Sequence, residues 1–287
     1  MARTNSRIVP ISPHAALLLE MGLERILVIA DIHIGWEVAL AEEGVHVPSQ
    51  TPKILESLIR LIRSQKPSSL IIVGDVKHTI AKIEMEEWRD IPEFFEQIGK
   101  LVPHIRIIPG NHDGSLEPVL PENIEILPQR GTIIWDVGLF HGHTWPAPEM
   151  LKCSTLIIGH VHPIVTFRDP VGFRVTRQVW VKAKCNSVKL ARFALRHAGV
   201  NVKRDPARSL KDHFNVDLKA SQFFIMPSFN DFLGGQTINR SSIGRGSRFR
   251  EFIGPVLRSG SIDIDNAEVY LLDGTFLGTI SQLRTLG

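Results

Sequence analysis

Ile26-Leu27-Val28-Ile29-Ala30-Asp31-Ile32-His33 decides the fold class: a short, continuous, β-branched apolar run that ends in a carboxylate and an imidazole two residues apart. A run of this length and composition predicts a strand covered on both faces, as in sheets with helices outside them. Four further runs repeat the pattern, Leu70 to Val73, Ile105 to Ile108, Val137 to Phe140 and Leu156 to Ile158. Each is followed by a chemistry-bearing segment: Gly74-Asp75, Gly110-Asn111-His112-Asp113, His141-Gly142-His143 and Gly159-His160-Val161-His162. In open α/β sheets ligands bind at the C-terminal edge of the strands, where loops converge on a rigid frame.

Working outward, Thr51 to Arg63 carries apolar residues at Ile54, Leu55, Leu58, Ile59 and Ile62, the stripe of a helix, with Thr51 as N-cap and Pro52 at the first helical position. Glu84 to Ile98 predicts two short helical pieces separated at Pro92. From Pro163 the pattern turns to alternation, exemplified by Gly172 to Val181, and predicts strands. Gly234 to Arg250 is Gly-, Ser- and Arg-rich without a period and predicts a loop, and Asp273-Gly274 predicts a hairpin between Ala267–Leu272 and Phe276–Ile280.

The 287 residues, 43% hydrophobic and 22% charged, exclude wholesale disorder, and no apolar run approaches the roughly 18 residues of a spanning helix. The N-terminal apolar block Ala15 to Leu19 is too short for a signal core, so a cytoplasmic location is expected. Cys153 and Cys185, 32 positions apart, predict neither a disulfide framework nor a thiolate zinc site. No P-loop motif is present. The net charge of +3 is uneven: Val165 to Lys211 holds twelve Lys or Arg against Asp169 and Asp205, a local +10 that leaves −7 for the remainder. Such a segment suits a polyanion or a solvated sheet face.

Residues two apart on an extended backbone point to one side, so D-x-H and H-x-H can both face one cation, and a loop after the strand can do the same. Carboxylate, amide oxygen and imidazole without thiolate suit Mn²⁺, Fe or Zn²⁺. Singly each motif is weak; five in order, all after apolar runs, exceed what packing requires.

The order D-x-H, G-D, G-N-H-[DE], H, G-H-x-H resembles the calcineurin-like metallophosphoesterases over Asp31 to His162. The resemblance implies a four-layer α/β/β/α sandwich, to which the sequence pattern adds a β-rich C-terminal part; a phosphoesterase domain is expected over residues 1–227, with an extension over 228–287, carrying the basic loop and terminal hairpin, packed on it. The resemblance further implies two divalent cations, Mn²⁺ foremost, with Asp31, His33 and His162 on the first, Asn111, His141 and His160 on the second, and Asp75 bridging. Two such cations, about 3.5–4 Å apart, activate water and clamp phosphate oxygens.

Within the family the chain looks like the DNA-repair nuclease branch, with its SbcD-related and DNA-ligase-associated relatives. His78 follows Asp75 by three residues as in G-D-L-F-H, although Val76-Lys77 departs from the apolar pair there. Ile225-Met226-Pro227-Ser228-Phe229 and Tyr270-Leu271-Leu272-Asp273-Gly274 look similar to the end of the SbcD-related group.

His112 is assigned as proton donor to the leaving group, with Asp113 bonded to its far nitrogen or serving as a helix N-cap. His78 and His143 are candidates for phosphate contact or ligand support. Trp145 packs in the core or stacks a base. Arg174, Arg177, Lys182 and Lys184 at near-alternate positions would neutralise phosphates on one hairpin face, and Arg240, Arg245, Arg248 and Arg250 would extend it. The expected function is hydrolysis of phosphodiesters in nucleic acid, with a repair helicase or ligase and a second copy of the chain as expected partners and no membrane. A small-nucleotide phosphodiesterase or phosphomonoesterase is the alternative. A non-catalytic binding module is disfavoured because His112 and all seven ligand positions are filled.

Overall fold

The computed structural model describes residues 6–169, 171–202, 204–240 and 254–285. The chain divides into two compact units, Met1–Pro128 with Ser228–Gly234, and Gln129–Pro227 with Gly235–Gly287.

The first unit is built on a six-stranded sheet in sequence order. Strands β1 (Arg7–Pro10), β2 (Ala16–Met21) and β3 (Glu24–Ala30) form an antiparallel meander. β4 (Ser69–Val73), β5 (His104–Ile108) and β6 (Ile124–Ile126) continue it in parallel with β3. Ala30, Val73 and Ile108 are register partners in turn, so three predicted strands end level and release their following segments side by side. Helix α1 (Trp36–Glu42) follows the first of these. Helices α2 (Thr51–Gln65) and α3 (Met85–Gly99) bury Ile54, Leu58, Leu61 and Ile62, and Ile91, Phe94, Phe95 and Ile98, against the sheet core.

Gln50, one residue earlier than expected, is the N-cap of α2. α3 runs unbroken through Pro92, where two pieces are expected from sequence. Proline removes the bond to the carbonyl of Trp88, but the Glu84/Glu87 capping box and the buried aromatic stripe hold the helix together.

The second unit contains a nine-stranded sheet, in the order β13-β10-β11-β12-β9-β8-β7, with β14 and β15 branching from β11. Its strands are β7 (Thr132–Ile134), β8 (Val137–Leu139), β9 (Thr155–Ile158), β10 (Pro163–Arg168), β11 (Arg174–Lys184), β12 (Gln222–Ile225), β13 (Gln236–Thr237), β14 (Glu268–Leu271) and β15 (Phe276–Thr279). Parallel β8 and β9 again end nearly level, Leu139 opposite Ile157. Helices α4 (Ser187–His197) and α5 (Pro206–Phe214) cover one face through Leu190, Ala191, Ala194, Leu195 and Leu210, and the short α6 (Gly254–Arg258) and α7 (Ile280–Arg284) complete the unit.

The terminal hairpin forms, but through four residues rather than two: Leu271 N–H donates to the Thr275 carbonyl, and Gly274, at φ 89°, donates to the Leu271 carbonyl. Of the expected Gly234–Arg250 loop, residues 241–250, with Arg245, Arg248 and Arg250, lie outside the described residues. Among the described residues no helix is long and apolar enough to cross a membrane.

Candidate metal centre

In the first unit the segments after β3 and β4 keep pairing beyond the strands. Asp31 N–H donates to the Gly74 carbonyl, His33 N–H to Asp75, Ile34 N–H to Val76 and His78 N–H to Ile34. Along this ladder Asp31, His33 and Asp75 hold φ of 58°, 50° and 51°. Of the two arrangements the sequence allows, an extended pair or a loop after the strand, the chain uses left-handed residues beyond the strand end, with Ile32 and Ile34 buried in the core. A non-glycine residue in this region costs about 1–3 kcal/mol and persists where surroundings over-determine it. Of nine such residues among those described, five are expected metal ligands, His160 and His162 being the others.

Donor atoms of Asp31, His33 and Asp75 lie within 4.8 Å of one another, as do those of His33, His78 and His112. All three members of the first set are almost fully buried. His33 Nε2 stands 3.5 Å from Asp75 Oδ2, and its Nδ1 3.2 Å from His78 Nδ1. A Cβ on Gly110 would sit 2.0 Å from Asp75 Oδ1, so only glycine lets the G-N-H-D segment pass this close. Asn111 Oδ1 is shut off from solvent and meets no hydrogen-bond donor among the described residues. A buried acceptor in that state, beside carboxylate and imidazole donors, fits a hard or borderline divalent cation.

His112 donates from Nδ1 to the backbone carbonyl of His78, and its own N–H donates to Asp75 Oδ1 at 2.9 Å. Its Nε2 lies 4.0 Å from Asp75 Oδ2. From sequence, Asp113 is expected to bond the far nitrogen of His112. The buried Asp113 carboxylate instead accepts from the N–H groups of Val76 (2.8 Å), Lys77 (3.3 Å) and Gly110 (2.8 Å), tying two of the three segments together. It is not a helix N-cap either, since the short 3₁₀ turn that follows starts at Glu117. Burial lowers the Lys77 pKa from its ordinary value, an effect opposed by Glu87, Asp113 and Asp75.

Sequence reasoning missed Ser228 and Asn230. The 228–234 segment returns to the first unit, where Ser228 Oγ donates to the Asp31 carbonyl (2.7 Å), Asn230 Nδ2 to the Ile32 carbonyl (2.9 Å) and Phe229 N–H to the Ala30 carbonyl (2.8 Å). The Pro227-Ser228-Phe229 run was visible in the sequence, its destination was not.

In the second unit His141, His143 and His160 form an imidazole cluster, with ring centroids 5.0 Å apart for His141 and His143 and 4.9 Å for His141 and His160. The Nδ1 atoms of His141 and His143 are 2.9 Å apart, and His143 Nε2 is 2.8 Å from Gln129 Nε2. His160 and His162 have φ of 67° and 45°. Glycines bring backbone against these residues: a Cβ on Gly254 would lie 2.2 Å from the Gly142 carbonyl oxygen, and one on Gly235 2.1 Å from that of His162. Trp145 stacks on Phe193, at 5.6 Å and 19°, in a core-packing role.

The four basic residues of β11 do not make one patch. Arg174, Lys182 and Lys184 share one strand parity and Arg177 the other. Arg174 and Lys184 are ten residues apart, about 33 Å along a strand. Lys182 pairs with Glu268 across the strands at 3.2 Å, and a cavity of about 390 Å³ there is lined by Lys182 and Lys184 but also by Asp263 and Glu268. The Glu268 carboxyl is held below its ordinary pKa by the Tyr270 hydroxyl and then by Lys182. Arg174 faces Arg168 directly across the hairpin, beside Val171 and Phe173, which are 80% and 70% exposed.

Among solved structures the chain is similar to the nuclease MPE of Pseudomonas putida, at 17% identity over 94% of this chain and 98% of that one, with a TM-score of 0.47. It is also similar to the E. coli phosphoesterase Yfce, at 19% identity over 50% and 73%, with a TM-score of 0.33. No curated protein matches it. The family model of calcineurin-like phosphoesterases matches residues 24–222, a span that contains every one of the five strand-end segments. The chain, with its metallophosphoesterase fold of mixed α/β content, therefore belongs to the calcineurin-like phosphoesterase family and is a metal-dependent phosphoester hydrolase.

Proposed function

We propose that this hydrolase cleaves phosphodiester bonds in nucleic acid with two divalent cations, Mn²⁺ ahead of Fe or Zn²⁺. In this reading it stands with the SbcD-related and DNA-ligase-associated phosphoesterases, and a repair helicase or ligase directs it. The ligands are those of the sequence pattern, Asp31, His33, Asp75 and Asn111 in the first unit and His141, His160 and His162 in the second. When bound, the cations supply Lewis acidity and charge neutralisation for the phosphate ester.

The observation that carries the chemistry is the bonding of His112. A carbonyl can only accept, so Nδ1 keeps its proton against His78, and Nε2 is the nitrogen left to exchange one. His112 holds that proton and delivers it to the departing alkoxide, which is too basic to leave unaided. Asp113 acts one step back, fixing the Gly110 and Val76 backbone from which His112 and Asp75 project.

The nucleic-acid substrate is supported by the hairpin end at Arg168 and Arg174. Like charges directly opposite in a sheet are destabilising on their own and suit a polyanion, and the exposed Phe173 offers a stacking face beside them. Mn²⁺-dependent hydrolysis of bis-p-nitrophenyl phosphate, run beside labelled single-stranded and duplex DNA and RNA with His112→Ala as control, tests the reading. Polymer cleavage that falls steeply with salt and is lost in the variant is the expected result. Turnover of the small diester with no polymer cut would replace it with a nucleotide-scale phosphodiesterase.

A further inference from the structure

Lys77 and Glu87 are both fully buried, carry opposite charge and lie outside the expected ligand set. They grip the same short loop from its two kinds of peptide group. The Lys77 ammonium donates to the carbonyls of Thr79, Lys82 (3.2 Å) and Ile80 (3.5 Å). The Glu87 carboxylate accepts from the N–H groups of His78 (3.0 Å) and Thr79 (2.8 Å) through Oε1 and of Glu84 (2.9 Å) through Oε2. Thr79 is thus held at its N–H by one charge and at its carbonyl by the other. A Cβ on Gly35 would meet Glu87 Cγ at 2.8 Å, so the segment after His33 closes over the same carboxylate. A buried charge without such partners is costly, and each of these finds three backbone partners in or beside this loop.

What the loop presents is His78, whose carbonyl receives His112 Nδ1 and whose ring faces His33 Nδ1. We infer that Lys77 and Glu87 are positioning residues that clamp the 78–82 loop so that the His78 carbonyl fixes the tautomer and direction of His112. The clamp acts through His112 and therefore rests on the proton-donor reading above.

The test compares two diesters, bis-p-nitrophenyl phosphate, whose leaving group departs without a proton, and diphenyl phosphate, whose leaving group is far more basic. His112→Ala, Lys77→Met and their double variant are assayed on both, with bound metal measured in each protein. Loss of proton donation shows on the poor leaving group alone. Lys77→Met is expected to lower kcat on diphenyl phosphate by roughly tenfold or more and on the nitrophenyl ester by about twofold or less, with KM and metal content unchanged. In the His112→Ala background the Lys77→Met effect should vanish. If Lys77→Met does not fold, Glu87→Gln, which keeps the volume and loosens the N–H side of the clamp, must give the same signature.

Equal loss on both esters, loss of metal, or an effect that persists without His112 overturns the clamp while a selective His112→Ala leaves the proton-donor reading standing. If His112→Ala itself loses both esters equally, the proton-donor reading fails and takes the clamp with it.

Discussion

The two units hold the strained strand ends that carry the expected ligands by different means. In the first, the expected ligands Asp31, His33 and Asp75 are fixed by hydrogen bonds from outside the strand ends: Asp113 on three backbone N–H groups, Ser228 and Asn230 on the carbonyls of Asp31 and Ile32. In the second, His141, His160 and His162 are fixed by close backbone approach, with Gly254 against Gly142 and Gly235 against His162. A backbone held by buried hydrogen bonds is sensitive to the loss of a polar partner, whereas one held by close approach is sensitive to added volume. A polar substitution should therefore hurt the first unit most, and an added methyl group the second.

Asp75→Ala is the harshest test of the first half of that contrast. It should abolish turnover and remove all bound metal, read by elemental analysis; a variant that still holds two equivalents would remove the bridging role. Gly254→Ala comes next, because the methyl would overlap the Gly142 carbonyl from a residue at φ 74°. A destabilisation of about 1–3 kcal/mol is expected. Calorimetry should show it as a lower Tm, and an unchanged Tm would mean that backbone approach does not fix the imidazoles.

Asn230→Ala removes one buried hydrogen bond to the Ile32 carbonyl and should cost on the order of 1–2 kcal/mol while weakening metal affinity. An equal loss of stability with no change in a metal titration would separate the 228–234 segment from the centre. The smallest effect concerns the thiols. Burial pushes Cys153 up to about 11 and Cys185 to about 12, so thiolate is scarce at pH 8 and disulfide reagents should label the native protein slowly and the unfolded chain fast. Rapid native labelling would contradict the burial of Cys153 and the partial burial of Cys185.

Much of this was legible in the sequence because the signals are local. Five apolar runs gave five strands, β3, β4, β5, β8 and β9, and the ligand types follow each run directly. The rest depends on partners far along the chain. Asp31 and His33 read as a pair on an extended strand or on the loop after it, and their left-handed backbone is set by a ladder to residues 74–76 that the local sequence does not show. Ser228 and Asn230 lie 197 and 198 residues from the carbonyls they hold. Lys77 read as a departure from an apolar pattern, and only the loop that wraps its ammonium explains how a lysine can be buried there. The basic run counted charges correctly but could not know that Glu268 sits across from Lys182.

Under the proposed function, hydrolysis of a phosphodiester requires cations held by the strand-end residues. The most direct test is to strip the purified protein with chelator and assay bis-p-nitrophenyl phosphate before and after titration with Mn²⁺. No turnover in the stripped protein and full recovery at two equivalents of Mn²⁺ per chain are expected. Turnover that survives complete metal removal would contradict it.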